Sequence, residues 1–293
     1  MENAETYPLV SVIIPTYNRA ALLQETIESV LQQTYPHIEV IVADDGSADD
    51  TKTCITNLGD HRVKFLSLEH SGHPGVARNQ AVAKSTGDWI AFIDSDDLWA
   101  TRKLEWQVKR LFEENKHWSF GGFNEMGKQD PPGSRTVNSN DLVKDILDNK
   151  IPVFIGTIMV RRSVFQAVGG FSEETNIAFR EDFDLALRLS LHSDPVILPE
   201  ILTRVREHRG RSTNQLDNSY QKTWQVYEKF IQQVENEELR RTAKKRQSYL
   251  LSEAAANKKL SLGFGQRFNL LRRSFRNDKL AHWLHSLWRS VSL

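Results

Sequence analysis

Cysteine is nearly absent from this chain of 293 residues: Cys54 stands alone, which excludes an intrachain disulfide, and no partner Cys or His cluster lies near it in sequence. Long apolar runs are missing too. Nothing approaches the roughly 18 consecutive apolar residues that a membrane-spanning helix needs. The opening residues Met1 to Glu5 are acidic and lead into no signal-like apolar core. Together these absences predict a cytoplasmic protein. Internal repeats and low-complexity tracts are also absent, and the formal net charge is zero.

The 39% apolar content suffices for an ordinary core, so global disorder is excluded. The balanced charge hides an asymmetry. Residues 240–293 hold 13 of the Lys and Arg residues against 2 acids, leaving 25 basic and 36 acidic residues before them. That division predicts an acidic part able to hold cations and a basic tail able to meet an anionic surface.

Along the chain, residues 9–14 are rich in β-branched side chains and close at Pro15, which predicts a buried strand. Leu23, Ile27, Val30 and Leu31 then recur at helical spacing. Strands are predicted over 38–43, 63–68 and 89–93, with helices starting near Asp49 or Thr51 and spanning 75–84. This alternation implies βαβ units and a mostly parallel sheet covered on both faces. Ligands then bind beyond the carboxyl ends of the strands. The segments Pro15-Thr16-Tyr17, Asp44-Asp45 and Asp94-Ser95-Asp96-Asp97 all follow strand ends and are expected to converge. A helix is expected over 102–115, an exposed loop over 128–140, a strand over 155–160, a helix over 181–191 and a short strand over 202–207. Helices follow from about Tyr220.

Asp94-Ser95-Asp96-Asp97 crowds carboxylates directly after a buried strand, where their repulsion is costly without a compensating cation or hydrogen bonds. Hard oxygen donors of this kind suit Mg²⁺ or Mn²⁺. The alternative is an acidic helix N-cap. Asp44-Asp45-Gly46-Ser47 could accept hydrogen bonds from a base or ribose, although Asp-Gly is also a common turn. Arg78 could neutralise phosphate charge or pair with an acid across the crevice.

The ordered series Val12-Ile13-Ile14-Pro15-Thr16-Tyr17-Asn18, Val42-Ala43-Asp44-Asp45-Gly46-Ser47, Gly75-Val76-Ala77-Arg78-Asn79 and Phe92-Ile93-Asp94-Ser95-Asp96-Asp97 resembles family 2 glycosyltransferases, over roughly the first 100 residues. The resemblance implies a GT-A-like, Rossmann-related α/β fold over 1–215, with a nucleotide-binding half at about 1–100 and an acceptor-side half at about 101–215. A helical basic region over 216–293 follows. It further implies inverting transfer of a hexosyl or N-acetylhexosaminyl group from a nucleotide sugar, a UDP-sugar in this reading, to a hydroxyl. Saccharide or lipid-linked acceptors of cell-surface polysaccharide or lipopolysaccharide synthesis follow from the same likeness.

By that resemblance Pro15, Thr16, Tyr17, Arg19, Asp45, Arg78, Asp94, Ser95 and Asp96 hold the nucleotide sugar, while Asp96 and Asp97 bind Mn²⁺ or Mg²⁺. Arg180-Glu181-Asp182 is similar to the family's Glu-Asp motif, which makes Asp182 the general base and puts Glu181 on the acceptor side beside Gly156. An acidic first helical turn is the alternative. His208, in Arg206-Glu207-His208-Arg209, resembles a late His-containing loop and is a further metal or diphosphate ligand, against an ordinary surface His. Gly156 and the Gly169-Gly170-Phe171 turn serve packing in the alternative reading.

The basic tail interleaves Lys258, Lys259, Arg267, Arg272, Arg273 and Arg276 with Leu262, Phe264, Phe268, Leu271, Phe275, Trp283, Leu284, Leu287 and Trp288. Such a segment suits peripheral contact with the inner face of the cell membrane; packing on the catalytic domain or on a partner subunit explains it equally, and a homo-oligomer is left open. Nucleic acid is not expected, because the rest of the chain is acidic. Among rivals, a catalytically inactive nucleotide-sugar-binding scaffold would need none of the three acidic elements. A dinucleotide oxidoreductase would want G-x-G-x-x-G where Pro15 to Asn18 stand. A nucleotidyltransferase would want a Gly- and Arg-rich phosphate loop near the N-terminus.

Overall fold

A computed structural model describes residues 7–127, 141–207, 216–257 and 263–277. Strands and helices alternate at first: β1 (Val10–Thr16), α1 (Ala20–Leu31), β2 (Ile38–Asp44), α2 (Thr51–Leu58), β3 (Val63–Ser67), α3 (Pro74–Lys84) and β4 (Trp89–Phe92). There follow β5 (Leu98–Trp99), α4 (Lys103–Glu113), β6 (Trp118–Glu125), α5 (Leu142–Leu147), β7 (Met159–Arg161), α6 (Arg162–Ala167), α7 (Glu181–His192) and β8 (Val196–Val205). Helices α8 (Leu216–Gln233), α9 (Glu237–Ala256) and α10 (Phe264–Asn277) complete the described chain.

The sheet order is β3-β2-β1-β4-β7-β6-β8-β5. β3, β2, β1 and β4 run parallel, β7 is antiparallel to both neighbours, β8 is parallel to β6, and β5 returns antiparallel. Every residue of β2 and β4 is buried, as expected of strands covered on both faces. Aliphatic side chains from β1, β2, α1 and α4, with Trp89 and Trp99, form the main core. This is the α/β architecture expected from the sequence, with helices at its C-terminal end.

Two stretches depart from the sequence reading. The strand expected over 155–160 is broken: Ile155–Thr157 forms a single 3-10 turn and only Met159–Arg161 pairs. The Gly156 carbonyl accepts hydrogen bonds from Trp99 Nε1 and Thr203 Oγ1 instead of joining a ladder. The short strand expected over 202–207 is a ten-residue β8. It carries Pro199, which cannot donate to a ladder. The register jumps there, Leu198 pairing with Gly121 and Ile201 with Gly122, so Pro199 and Glu200 bulge out. A side chain at Gly121 would place its Cβ 2.7 Å from Leu202, so the close approach of β6 and β8 demands glycine there.

The described chain falls into two compact units. The first, residues 1–139, 151–173 and 181–207, holds the sheet. The second, residues 140–150, 174–180 and 208–293, is built on the C-terminal helices. In it Tyr220, Leu251, Ala254, Ala255 and Leu270 make a satellite core, and Ser252 and Ser274 hydrogen-bond at 2.6 Å between α9 and α10. Among the described residues no helix is long and apolar enough to cross a membrane.

At the start of β2, Glu39 is buried and accepts hydrogen bonds from Ser11 Oγ, the backbone N–H groups of Thr86 and Gly87, Thr86 Oγ1 and Lys64 Nζ. Burial alone would raise its pKa, but Lys64, Thr86 and Ser11 outweigh it and hold the carboxyl at about 2. Because the folded-state pKa lies below the unfolded one, this stabilisation is complete above about pH 4.5 and is lost as pH falls toward 2. Glu39→Ala is expected to cost on the order of 2–3 kcal/mol at neutral pH. Denaturant unfolding at pH 7 and pH 3 checks this; the gap between variant and parent narrows at the lower pH.

Candidate functional site

The acidic turn after β4 is the centre of the site. One carboxylate oxygen from each of Asp94, Asp96 and Asp97 lies within 4.8 Å of the others, and Ser95, Asp96 and Asp97 are buried. The turn is pinned from several sides. Asp97 N–H bonds to the Asp94 carbonyl at 3.2 Å, and Thr26 of α1 donates to the Asp97 carbonyl at 2.8 Å. Arg19, just before α1, approaches Asp96 to 2.6 Å. Burial, then the nearby Asp96 carboxylate, raises the Asp94 pKa against the opposing pull of Arg78. Crowded acids of this kind favour a cation among them.

Arg78 comes from α3. His73 caps that helix by accepting the Gly75 N–H at 3.1 Å, and Pro74 occupies its first turn. The guanidinium is 3% exposed. Nη2 donates to Asp94 Oδ1 and Nη1 to Glu181 Oε1, each at 2.6 Å. Of the two roles open to Arg78 in sequence, the pairing with acids across the crevice is the contact it makes. Burial by itself would make Arg78 easier to deprotonate, but the charges of Asp94 and Glu181 outweigh it and raise its pKa. Gly75 permits this approach, since a Cβ there would sit 3.0 Å from the Ser172 carbonyl and 3.2 Å from Glu181 Cγ.

Glu181 and Asp182 open α7, where the exposed N–H groups favour negative charge. Glu181 is buried. Asp182 is half-buried, and its Oδ1 accepts the Phe183 N–H at 2.8 Å. Arg78 thus bridges the acidic turn to the residue next to Asp182. Three buried polar atoms here have no hydrogen-bond partner in the protein: Thr16 Oγ1, Arg78 Nε and Glu181 Oε2. Such atoms are uncommon away from ligand or water sites.

Beyond the carboxyl ends of β1 and β2, Tyr17 is 43% exposed and stacks on His70 with centroids 4.2 Å apart. Asp45 accepts from Ser71 N–H, Ser71 Oγ and Gly72 N–H, and His70 Nδ1 lies 2.8 Å from its carbonyl oxygen. Asn18 holds a left-handed backbone at φ 50°. Its N–H donates to Ser47 Oγ, and its side-chain oxygen accepts from Ala48 N–H. The loops after β1 and β2 are therefore one hydrogen-bonded unit, with Pro15 and Thr16 at the end of β1.

Other expected residues are placed as follows. Gly156 is buried with its carbonyl engaged as described. The Gly169-Gly170-Phe171 turn is held by Asn79, which exchanges bonds with the Phe171 backbone, and by Arg188, which donates to the Val168 and Gly170 carbonyls. His208 lies outside the described residues, as do the loop over 128–140 and Lys258, Lys259, Leu262, Trp283, Leu284, Leu287 and Trp288. The side chains of Phe264, Phe275 and Arg276 are likewise outside the description. Arg267 donates to the Ala255 carbonyl, Phe268 is exposed, and Arg272 and Arg273 are exposed on α10.

Arg206 carried no role in the sequence reading, yet it reaches the acidic turn. At the end of β8 its N–H donates to Asp97 Oδ1 at 3.1 Å, its Nε to the Asp96 carbonyl at 3.2 Å, and its Nη2 to Glu25. The available signal was its place in the Arg206-Glu207-His208-Arg209 motif, where the sequence reading gave the role to His208. His70 was also missed: nothing local marks it, and only the fold brings it to Tyr17 and Asp45.

Comparison with known proteins adds to this geometry. The family model described as glycosyl transferase family 2 matches residues 11–169. The chain is similar to TuaG of Bacillus subtilis (strain 168), named as a teichuronic acid biosynthesis glycosyltransferase, at 34% identity over 229 residues covering 75% of this chain and 87% of that one. A second relative is the Escherichia coli UDP-Glc:alpha-D-GlcNAc-diphosphoundecaprenol beta-1,3-glucosyltransferase WfgD, 35% identical over 141 residues, 47% of this chain and 56% of that protein. In fold, the chain matches residues 1–349 of S. aureus TarS solved with UDP-GlcNAc, with a TM-score of 0.72, 18% identity and coverage of 97% and 88%. It also matches the mannosyltransferase PcManGT of Pyrobaculum calidifontis solved with GDP-Man and Mn²⁺, with a TM-score of 0.66, 18% identity and coverage of 97% and 80%.

Proposed function

The chain belongs to glycosyl transferase family 2, and from that premise we propose that it transfers a sugar from a UDP-sugar to a hydroxyl of a saccharide or lipid-linked acceptor, with inversion at the anomeric carbon. The observation that carries this reading is the Arg78 bridge. It links the acidic turn, where a leaving diphosphate and its cation belong, to the α7 N-terminus bearing Asp182.

The residues of the turn fit a divalent ion: three clustered carboxylates supply hard oxygen donors, and Asp96 and Asp97 are the proposed ligands. Asp96 and Asp97 would hold Mn²⁺ or Mg²⁺ there, and the ion would supply positive charge against that of the departing diphosphate. Arg19, beside Asp96, adds positive charge on the nucleotide side. Tyr17, exposed and backed by His70, offers a ring on which a nucleobase stacks, and Asp45 offers the acceptor for a base N–H. Asp94 and Ser95 are assigned to the same nucleotide sugar. Asp182 takes the proton of the acceptor hydroxyl as its oxygen bonds to the anomeric carbon and the bond to the diphosphate breaks. One such base suits a single displacement, and hence inversion.

Uridine is proposed from the UDP-Glc in the name of WfgD; of the two structural neighbours, TarS was solved with UDP-GlcNAc and PcManGT with GDP-Man. The lipid-linked acceptor is drawn from the name of WfgD, and a cell-surface polysaccharide product from that of TuaG. Arg241, Lys244 and Lys245 are exposed on α9 and would serve peripheral contact with an anionic membrane face, where such an acceptor resides.

The test is turnover of a panel of UDP-sugars with Mn²⁺, with NMR of the anomeric proton of the product. Inversion with a UDP-sugar and loss of activity on chelation are expected; retention, or turnover with GDP-sugars alone, contradicts the reading. Asp96→Ala is expected to weaken Mn²⁺-dependent UDP binding by at least about tenfold, or roughly 1.4 kcal/mol. Unchanged metal dependence in that variant moves the ion elsewhere.

A further inference from the structure

Helices α8, α9 and α10 enclose a cavity of about 360 Å³ in the second unit, within the size range of small-ligand sites. It is cut into the edge of the satellite core, so Leu251 and Leu270 supply an apolar floor. The rest of the lining has an unusual composition. Two aromatic residues, Tyr220 and Trp224, stand with the carboxamides of Gln221, Gln225, Gln266 and Asn269, and among the described residues the sole charge in the lining is Arg273, with no carboxylate beside it.

Each part of this chemistry matches one part of a sugar. A pyranose ring presents a C–H face that packs on aromatic and aliphatic surface, and its vicinal hydroxyls each donate and accept. A carboxamide does both from adjacent atoms, which an ammonium or a carboxylate cannot do. Gln225 and Asn269 have no protein partner among the described hydrogen bonds, so their amides are available to a ligand, whereas Gln266 caps the Gly263 N–H. The indole Nε1 of Trp224 is buried without an acceptor, so what Trp224 offers a ligand is its ring and not its N–H. Arg273 sits 4.8 Å from the centroid of the Trp224 ring and is exposed. Its fork matches a carboxylate bidentately, and a wall with no acid selects against cations.

We propose that this cavity binds an acidic saccharide, a pyranose unit carrying a carboxylate. It is a site separate in its residues from the nucleotide and metal residues described above. The helical region then holds a sugar chain independently of catalysis, and this holds whether or not the donor is a UDP-sugar.

The experiment uses the full chain and a glucuronate-containing oligosaccharide, with a neutral oligosaccharide of equal length as control. Tryptophan fluorescence and saturation-transfer NMR read the binding. Saturable binding of the acidic sugar is expected, weaker by at least about tenfold for the neutral one, and undiminished by excess UDP with Mn²⁺. Arg273→Met and Asn269→Ala, at exposed positions, are expected to weaken it by about tenfold each with unchanged melting temperature and unchanged UDP affinity. Trp224→Phe keeps an aromatic ring in the wall, and binding is expected to be retained in it with an unchanged melting temperature. No binding at about 10 mM sugar, a concentration that would nearly saturate a site with a Kd of about 1 mM, overturns the proposal. So does binding that UDP displaces, or binding indifferent to both Arg273→Met and Asn269→Ala.

Discussion

Asp182→Asn is expected to lower sugar transfer by about 10²–10⁴-fold, the range supplied by a general base, while metal-dependent nucleotide binding stays near that of the parent. The asparagine keeps the size of the side chain and can still accept the Phe183 N–H through its carbonyl oxygen. The start of α7 is therefore preserved, and what is removed is the ability to take a proton. The proposed nucleotide contacts lie in the loops after β1, β2 and β4 and do not include this side chain. Single-turnover kinetics beside a nucleotide titration separate the two effects. Near-normal turnover removes Asp182 from the role of base, and joint loss of binding and turnover makes it a structural residue.

Arg78→Ala has the other large effect, on both stability and binding. The side chain is fully buried and holds Asp94 and Glu181 at 2.6 Å each. Removing it leaves two carboxylates confined near Asp96 and Asp182 with no counter-charge. Breaking a buried ion pair by deleting one member costs about 3–5 kcal/mol, and here two partners are orphaned by one change. A lower melting temperature is expected, with Asp94 driven further toward its neutral form and divalent-ion binding weakened. Arg78→Lys tests geometry against charge. A single ammonium cannot present the fork that spans both acids, so the lysine variant recovers part of the stability and little of the catalysis. If Arg78→Ala melts with the parent, the bridge is not what organises the site.

How much of this was legible beforehand depends on the range of each interaction. β1, β2 and β4 were readable because strands covered on both faces are continuous apolar runs, and the acids that follow them stand out against that background. The rule for parallel sheets alone gave the expectation that Tyr17, Asp45 and Asp94 converge; His70 joins Tyr17 to Asp45, and Arg19 reaches from the loop after β1 to Asp96. Longer-range pairings left no mark. Glu181 lies 103 positions from Arg78, so the sequence offered Arg78 two roles and could not choose between them. Arg206 meets the acidic turn at the end of a ten-residue β8 whose first half was not expected to be strand; the bulge that accommodates Pro199 lies opposite Gly121 and Gly122 of β6. β6 itself, interrupted by that glycine pair, did not read as a strand. Gly156 illustrates the reverse case, where an apparent strand is turned aside by two side-chain donors from Trp99 and Thr203.

The central claim is that the acidic turn and the loops after β1 and β2 hold a uridine nucleotide through a divalent ion. Calorimetric titration of the intact chain with UDP and with GDP, each with Mn²⁺ and with a chelator, tests it most directly. The account predicts UDP binding that requires the ion and exceeds GDP binding by at least about tenfold. UDP binding that persists in the chelator, or a preference for GDP, would contradict it.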